Sequence, residues 1–276
     1  MADCVIVIPC YNEAARLDAE ALRAFVGAGN PQRFLFVNDG SRDDTLRLLE
    51  SLRDEDQGRF AVLDLPQNVG KAEAVRRGVL RALEGRPDFV GYWDADLATP
   101  LAEIPRFCEI LAARPEVRLV LGSRVRLLGR TIRRRVSRHL LGRLFATAAS
   151  LALRLPVYDT QCGAKLFRVT PELGNVFAEP LRSRWVFDVE LLARLLQTWR
   201  STAAASPETA FYEHPLARWE DVAGSKVRLW DFPKSAWELA VIYWCYCRPN
   251  RTALQRPQPS DSPEDEPTVA IRRRAA

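Results

Sequence analysis

Short runs of β-branched and aromatic residues alternate with stretches of helical periodicity through the first half of the chain. Val5 to Ile8 is an apolar run stopped by Pro9, and Phe34 to Val37 is another stopped by Asn38-Asp39-Gly40. Both predict buried parallel strands. Phe60 to Leu65, Phe89 to Trp93 and Arg118 to Leu121 predict three more, and helices are predicted over Ala14 to Val26, Asp44 to Arg53, Lys71 to Leu83 and Leu101 to Ala113. This alternation predicts an α/β fold, a mostly parallel sheet flanked by helices. Ligands of such sheets gather at the carboxyl ends of the strands, and here those ends carry polar residues or glycine.

Further along, Leu140 to Leu155 is apolar but interrupted by Arg143 and Arg154, and Trp237 to Tyr246 is aromatic-rich but carries Glu238. Each falls short of the ~20 uninterrupted apolar residues that cross a bilayer. They predict amphipathic segments lying on a membrane, the second over residues 231–250. From Arg251 the chain turns to Pro, Ser, Asp and Glu and ends in Arg272-Arg273-Arg274. That composition predicts a disordered tail over 251–276.

The 276 residues are 47% hydrophobic and 27% charged, which excludes wholesale disorder and a multi-span membrane protein. Met1 to Ile8 has neither a basic leader nor a cleavage site, which predicts cytoplasmic residence. The six cysteines predict reduced thiols, and with only His139 and His214 available any metal must use carboxylates. The net charge of +5 is unevenly placed: no Asp or Glu occurs between Glu116 and Asp159, while ten Arg do. The partners of such a block are phosphates of lipid, substrate or nucleic acid. Nucleic acid is disfavoured, because Arg118 to Arg143 contains none of the aromatics that stack on bases.

Four clusters carry candidate chemistry. Tyr92-Trp93-Asp94-Ala95-Asp96 ends an apolar strand, and alternate carboxylates there can hold Mg²⁺ or Mn²⁺ against a diphosphate. The same aspartates equally suit caps for the next helix. Pro9-Cys10-Tyr11-Asn12-Glu13 offers Tyr11 for stacking on a base. Asn38-Asp39-Gly40-Ser41 offers Asp39 to a base N–H or a ribose hydroxyl, although both clusters also read as turns. In Asn68-Val69-Gly70-Lys71, Gly70 permits close backbone approach and Lys71 faces an anion at a helix start.

In order and spacing, P-x-Y-N-E, V-x-D-G-S, N-x-G-K and D-A-D together resemble the nucleotide-sugar half of inverting glycosyltransferases of the Rossmann-like GT-A fold. The chain is similar to dolichyl-phosphate glucosyltransferases and, more distantly, to dolichol-phosphate mannose synthases, from about Val5 to Tyr243. Gly122-Ser123-Arg124, the run Asp159 to Phe167, the run Arg184 to Leu191 and Gly224-Ser225-Lys226 carry the likeness through the second half. Ala98 stands where the mannose synthases carry glutamine, which favours a glucosyl reading.

The resemblance implies a catalytic domain over 1–230, divided at about 115 into nucleotide-sugar and acceptor halves. It implies a donor site of Pro9, Tyr11, Glu13, Asp39, Gly70, Lys71 and Asp94, with metal on Asp94 and Asp96. The acceptor-phosphate site it implies is Arg124, Arg134 and Arg138. Arg134 and Arg138 share one face if their stretch is helical and can then clamp one phosphate; the other reading is a solvated basic face drawn to anionic lipid. The expected reaction moves a sugar, glucose from UDP-glucose, onto a membrane polyprenyl phosphate at the inner face of the cytoplasmic membrane. Asp188 is the first candidate for a base if the acceptor is a hydroxyl, and Asp159, Asp188 and Glu190 otherwise orient arginines or touch the sugar. Alternatives are another donor such as GDP-mannose, a glycan acceptor, a sugar-1-phosphate nucleotidyltransferase or a non-catalytic basic lipid-binding module.

Overall fold

The computed structural model describes residues 2–133, 136–202, 206–220 and 232–248. The predicted strands form as β1 (Cys4–Cys10), β2 (Arg33–Asp39), β3 (Phe60–Leu65), β4 (Phe89–Trp93) and β5 (Leu119–Ser123). To these the structure adds β6 (Thr131–Arg133), β7 (Ala164–Arg168), β8 (Phe211–Pro215) and β9 (Arg218–Glu220). Seven strands make one sheet in the order β3-β2-β1-β4-β7-β5-β8, and β6 pairs with β9 separately. The first four strands are mutually parallel, whereas β7 runs antiparallel to both β4 and β5.

The helices are α1 (Ala19–Gly27), α2 (Thr45–Glu55), α3 (Lys71–Leu83), α4 (Glu103–Ala113), α5 (Val136–Leu153), α6 (Pro171–Ala178), α7 (Phe187–Thr202), α8 (Pro207–Ala210) and α9 (Phe232–Ile242). A π-helical turn, Tyr243–Cys247, continues α9. Because both sheet faces are covered, the central strands β1 and β4 bury apolar residues on both faces rather than on alternate ones. Ile6, Ile8, Phe34, Phe36 and Trp93 pack on one side with α1, α2 and α4. Val7, Val37 and Tyr92 pack on the other with α3, α6 and α7. Each such side chain taken out of water contributes roughly 1.5–3 kcal/mol.

Helix α1 starts five residues later than the periodicity predicts. Arg16 N and Leu17 N both donate to Glu13 O, at 2.9 and 2.8 Å, closing a turn, and the Asp18 side chain then caps the helix by accepting from Ala21 N at 2.9 Å. The two apolar segments of the second half both become helices that join the fold. Leu140 to Leu153 falls in α5, with Arg154 and Leu155 just beyond it, and Trp237 to Tyr246 falls in α9 and its π-helical turn, where Leu239, Ile242 and Cys247 enter the core. Among the described residues no helix is long and apolar enough to cross a membrane. Arg134, the Gly224-Ser225-Lys226 motif and the tail 251–276 lie outside the described residues.

Candidate active site

The parallel order β3-β2-β1-β4 brings the four predicted clusters to one edge of the sheet. The loops after β1 and β2 are knitted together. Asn12 N donates to Ser41 Oγ at 3.0 Å, Arg42 N to Asn12 Oδ1 at 2.8 Å, and Glu13 N to Thr45 Oγ1 at 2.8 Å. Pro9 is the penultimate residue of β1 and Tyr11 follows the strand, half-buried. Glu13 is buried, and Arg16 bridges its Oε2 (3.5 Å) to Asp96 Oδ2 (3.7 Å).

Asp39, predicted to meet a base or a ribose, has both oxygens engaged within the protein. Oδ1 accepts from Val69 N at 2.7 Å, and Oδ2 accepts from Gly70 N at 3.0 Å and Asn68 Nδ2 at 2.9 Å. The carboxylate thereby moulds the loop in which Gly70 takes φ 91°, a left-handed conformation that only glycine adopts without strain. Burial pushes the Asp39 carboxyl up, against the pull of the Val69 and Gly70 N–H groups.

At the end of β4 the chain turns sharply, Leu97 N donating to Asp94 O at 3.1 Å with Leu97 at φ 48°. Lys71, the first residue of α3, places Nζ 2.5 Å from Asp94 Oδ1. Asp96 Oδ1 accepts from Ala98 N at 3.2 Å. Burial, and next the charge of Asp94, raise the Asp96 carboxyl above its ordinary value. For Lys71 desolvation opposes the charge, but Asp94, Asp188 and Asp96 outweigh it and raise its pKa.

Two carboxylates crowded closely enough for one to raise the other's pKa fit a hard cation. Among the described residues no cluster of three or more His, Cys, Asp or Glu could hold an ion by itself. A Mg²⁺ or Mn²⁺ held by Asp94 and Asp96 would therefore take its remaining oxygens from a ligand.

The second half supplies the floor and the far wall. Lys165 on β7 is fully buried, and its Nζ donates to Thr160 O at 3.0 Å, Cys162 O at 2.7 Å and Asp188 Oδ1 at 2.5 Å. The Tyr92 hydroxyl donates to the same oxygen, and burial, then the Asp188 charge, push that phenol well above its usual range. Asp188 is thus a buried counter-ion, and a base role would fall to Oδ2. Glu190, fully buried at 0% exposure, accepts from Ser183 N at 2.7 Å and from Arg194 Nη2 at 2.8 Å, so it orients an arginine and does not face a sugar.

One member of the expected acceptor-phosphate site is paired within the protein. Arg124 lays Nε and Nη2 on Asp159 at 2.6 and 2.8 Å, so the fork that would grip two phosphate oxygens is occupied by a carboxylate. Burial works against its charge, but Asp159 overrides this and raises the pKa. Arg138 sits in the first turn of α5 and its side chain is not among those described, while Arg134 precedes the helix.

The sequence matches Glycosyl transferase family 2 over residues 5–172, more than half its length. The chain belongs to glycosyl transferase family 2. This family 2 enzyme is 31% identical over 258 residues to a dolichyl-phosphate beta-glucosyltransferase of Drosophila melanogaster, covering 87% of this chain and 74% of that one. A dolichyl-phosphate beta-glucosyltransferase of Trichomonas vaginalis is 30% identical over 249 residues, covering 86% and 69%. Glucosyl-3-phosphoglycerate synthase from Mycobacterium tuberculosis, solved with Mn²⁺ and UDP-glucose, superposes with a TM-score of 0.63 at 20% identity, covering 89% of this chain and 79% of that one. That likeness establishes the GT-A fold.

Some residues that build the family 2 site carried little signal in the sequence. A lysine inside the apolar strand Ala-Lys-Leu-Phe is one visible sign that Lys165 has a buried partner. Gly163 is needed because a Cβ there would overlap the Asp94 carboxylate, and nothing local announces that neighbour. Arg184 stands with Nη2 3.6 Å from where a Cβ on Gly70 would lie, a placement that only the docking of α7 produces.

Proposed function

We propose that this glycosyltransferase moves glucose from UDP-glucose, with inversion, onto a polyprenyl phosphate at a membrane surface. The observation that carries the reading is the crowding of two carboxylates, Asp94 and Asp96, with the Lys71 ammonium on Asp94, where four strand ends converge. A divalent cation bound there supplies positive charge to the departing diphosphate. Lys71, with its raised pKa, stays charged beside Asp94 and adds a fixed ammonium to the same edge. The acceptor phosphate oxygen attacks the anomeric carbon while the bond from that carbon to the diphosphate oxygen breaks on the opposite face. A phosphate monoester is largely dianionic above its second pKa of about 6, so this nucleophile needs no protein base. The engagement of Asp188 Oδ1 with Lys165 and Tyr92 agrees with an acceptor of that kind.

The relatives named for dolichyl phosphate supply the acceptor class, and the surface of this chain supports a lipid-borne one. Helix α5 leaves Leu144 and Leu151 71% and 73% exposed, and the adjoining α9 segment leaves Trp237 and Trp244 72% and 65% exposed. Two apolar stripes beside a block rich in Arg and free of acids suit the interface of an anionic bilayer.

The test is incubation of the purified chain with Mg²⁺ or Mn²⁺, polyprenyl phosphate and labelled UDP-glucose, GDP-mannose and related donors. A charged glucolipid is expected with UDP-glucose and none with Asp96→Asn. Transfer from GDP-mannose alone, or full activity of Asp96→Asn, would overturn the donor or the metal assignment respectively.

A further inference from the structure

The segment between α6 and α7 has no regular structure, yet every one of five consecutive amides is committed. Arg182 N and Ser183 N donate to the two oxygens of Glu190 at 3.1 and 2.7 Å. Arg184 N donates to Glu238 Oε1 at 3.2 Å, and Trp185 N and Val186 N donate to Glu238 Oε2 at 3.0 and 3.1 Å. Glu190 belongs to α7 itself, but Glu238 comes from α9, 52 residues beyond Val186 and next to the exposed Trp237. The π-helical turn after α9 reinforces the contact, since Tyr246 Oη donates to Glu190 Oε1 at 3.1 Å.

This loop delivers two groups to the site. Immediately after it, α7 opens with Phe187, whose ring lies 5.8 Å from Lys71 Nζ, and Asp188, the partner of Lys165. Within it, Arg184 is exposed and stands against the Gly70 turn, close enough to bias the charge of Asp39. Its guanidinium, a cation at the start of α3 beside Lys71 that makes no hydrogen bond or ion pair among the described residues, is placed for an anionic ligand.

We infer that Glu238 is a positioning residue: its carboxylate fixes the backbone of Arg184 to Val186 and so aims Arg184 at the diphosphate of a sugar nucleotide on the Gly70–Lys71 edge. The inference rests on the donor-site reading above and extends it to α9. The helix that carries the outward tryptophans thereby also sets one wall of the donor site. Three amides on one carboxylate hold the loop far better than water does, because a charged acceptor roughly doubles the strength of each bond.

The test uses the full chain with Glu238→Gln, Glu238→Ala, Arg184→Ala and the double variant Glu238→Ala/Arg184→Ala. Nucleoside diphosphate affinity is measured calorimetrically with Mn²⁺ present, together with donor KM, kcat and Tm. Arg184→Ala is expected to weaken UDP binding about tenfold, the scale of one lost charge-assisted contact. Glu238→Ala should reproduce most of that loss, and the double variant should be no worse than Arg184→Ala alone. Hydrogen exchange at residues 184–186 should accelerate in Glu238→Ala. If Glu238→Ala fails to fold, Glu238→Gln, which keeps one acceptor oxygen, carries the same comparison. A lower Tm with unchanged UDP affinity, or losses that simply add in the double variant, would make Glu238 a structural cap and overturn the inference. Failure of the wild-type chain to bind any nucleoside diphosphate would overturn the donor reading and this inference with it.

Discussion

The loop before β7 passes so close to Asp94 that Gly163→Ala probes the carboxylate without altering it. Gly163 O accepts from Asp94 N at 2.9 Å, and a Cβ on Gly163 would fall inside the van der Waals envelopes of Asp94 Cγ, Oδ1 and Oδ2. Restoring an ordinary contact of ~3.5 Å requires the carboxylate to retreat by roughly 1 Å or more. Misplacement on that scale costs about 100-fold in rate, or about 2.7 kcal/mol in the barrier. Asp94 is only half-buried and can swing toward solvent, so the overpacking should cost about 1–3 kcal/mol of stability and leave the protein folded. The assay is kcat/KM for transfer of labelled glucose to polyprenyl phosphate, run beside unfolding followed by circular dichroism. The expected result is a native-like spectrum with kcat/KM down about two orders of magnitude. A folded Gly163→Ala protein with wild-type kcat/KM would refute the assignment of Asp94 to the reacting edge.

Lys165→Met should destabilise the chain by about 3–5 kcal/mol in urea unfolding, because it leaves Asp188 a buried charge without its counter-ion; a loss under about 1 kcal/mol would contradict that pairing. Glu190 is held below the ordinary glutamate value: burial pushes it up, but the Arg182 and Ser183 amides, the Ser183 hydroxyl and Arg194 together outweigh it. A depressed carboxyl stabilises the fold fully above the unfolded value of about 4.3 and loses that contribution as pH falls through its folded pKa. Glu190→Gln should therefore flatten the acid limb of stability against pH, and an unchanged limb would locate the acid sensitivity elsewhere. Replacing Trp237 and Trp244 together by Ser should lower partitioning onto anionic vesicles at least about tenfold, since burying one such ring contributes roughly 1.5–3 kcal/mol. Equal sedimentation of variant and wild type with vesicles would exclude that face from the membrane contact.

The first four strands and the loops that follow them were legible without coordinates, because each is specified within a few residues. A β-branched run needs burial on both sides, and the turn residues that close it, Tyr11-Asn12, Gly40-Ser41 or Asp94, lie within a few positions of it in the chain. The fold class and the meeting of four clusters at one edge followed from that local grammar and the rule that parallel strands share a ligand-binding end. What the pattern could not convey was partnership across long separations. An apolar run does not say which strand lies beside it, so the antiparallel insertion of β7 between β4 and β5, which sets Gly163 under Asp94 and Lys165 under Asp188, belongs to the tertiary structure alone. The same holds for charge. Arg124 and Arg184 look alike in sequence, but folding puts the first on Asp159 and leaves the second beside Gly70, because a guanidinium's role is set by whichever carboxylate the packing brings within reach.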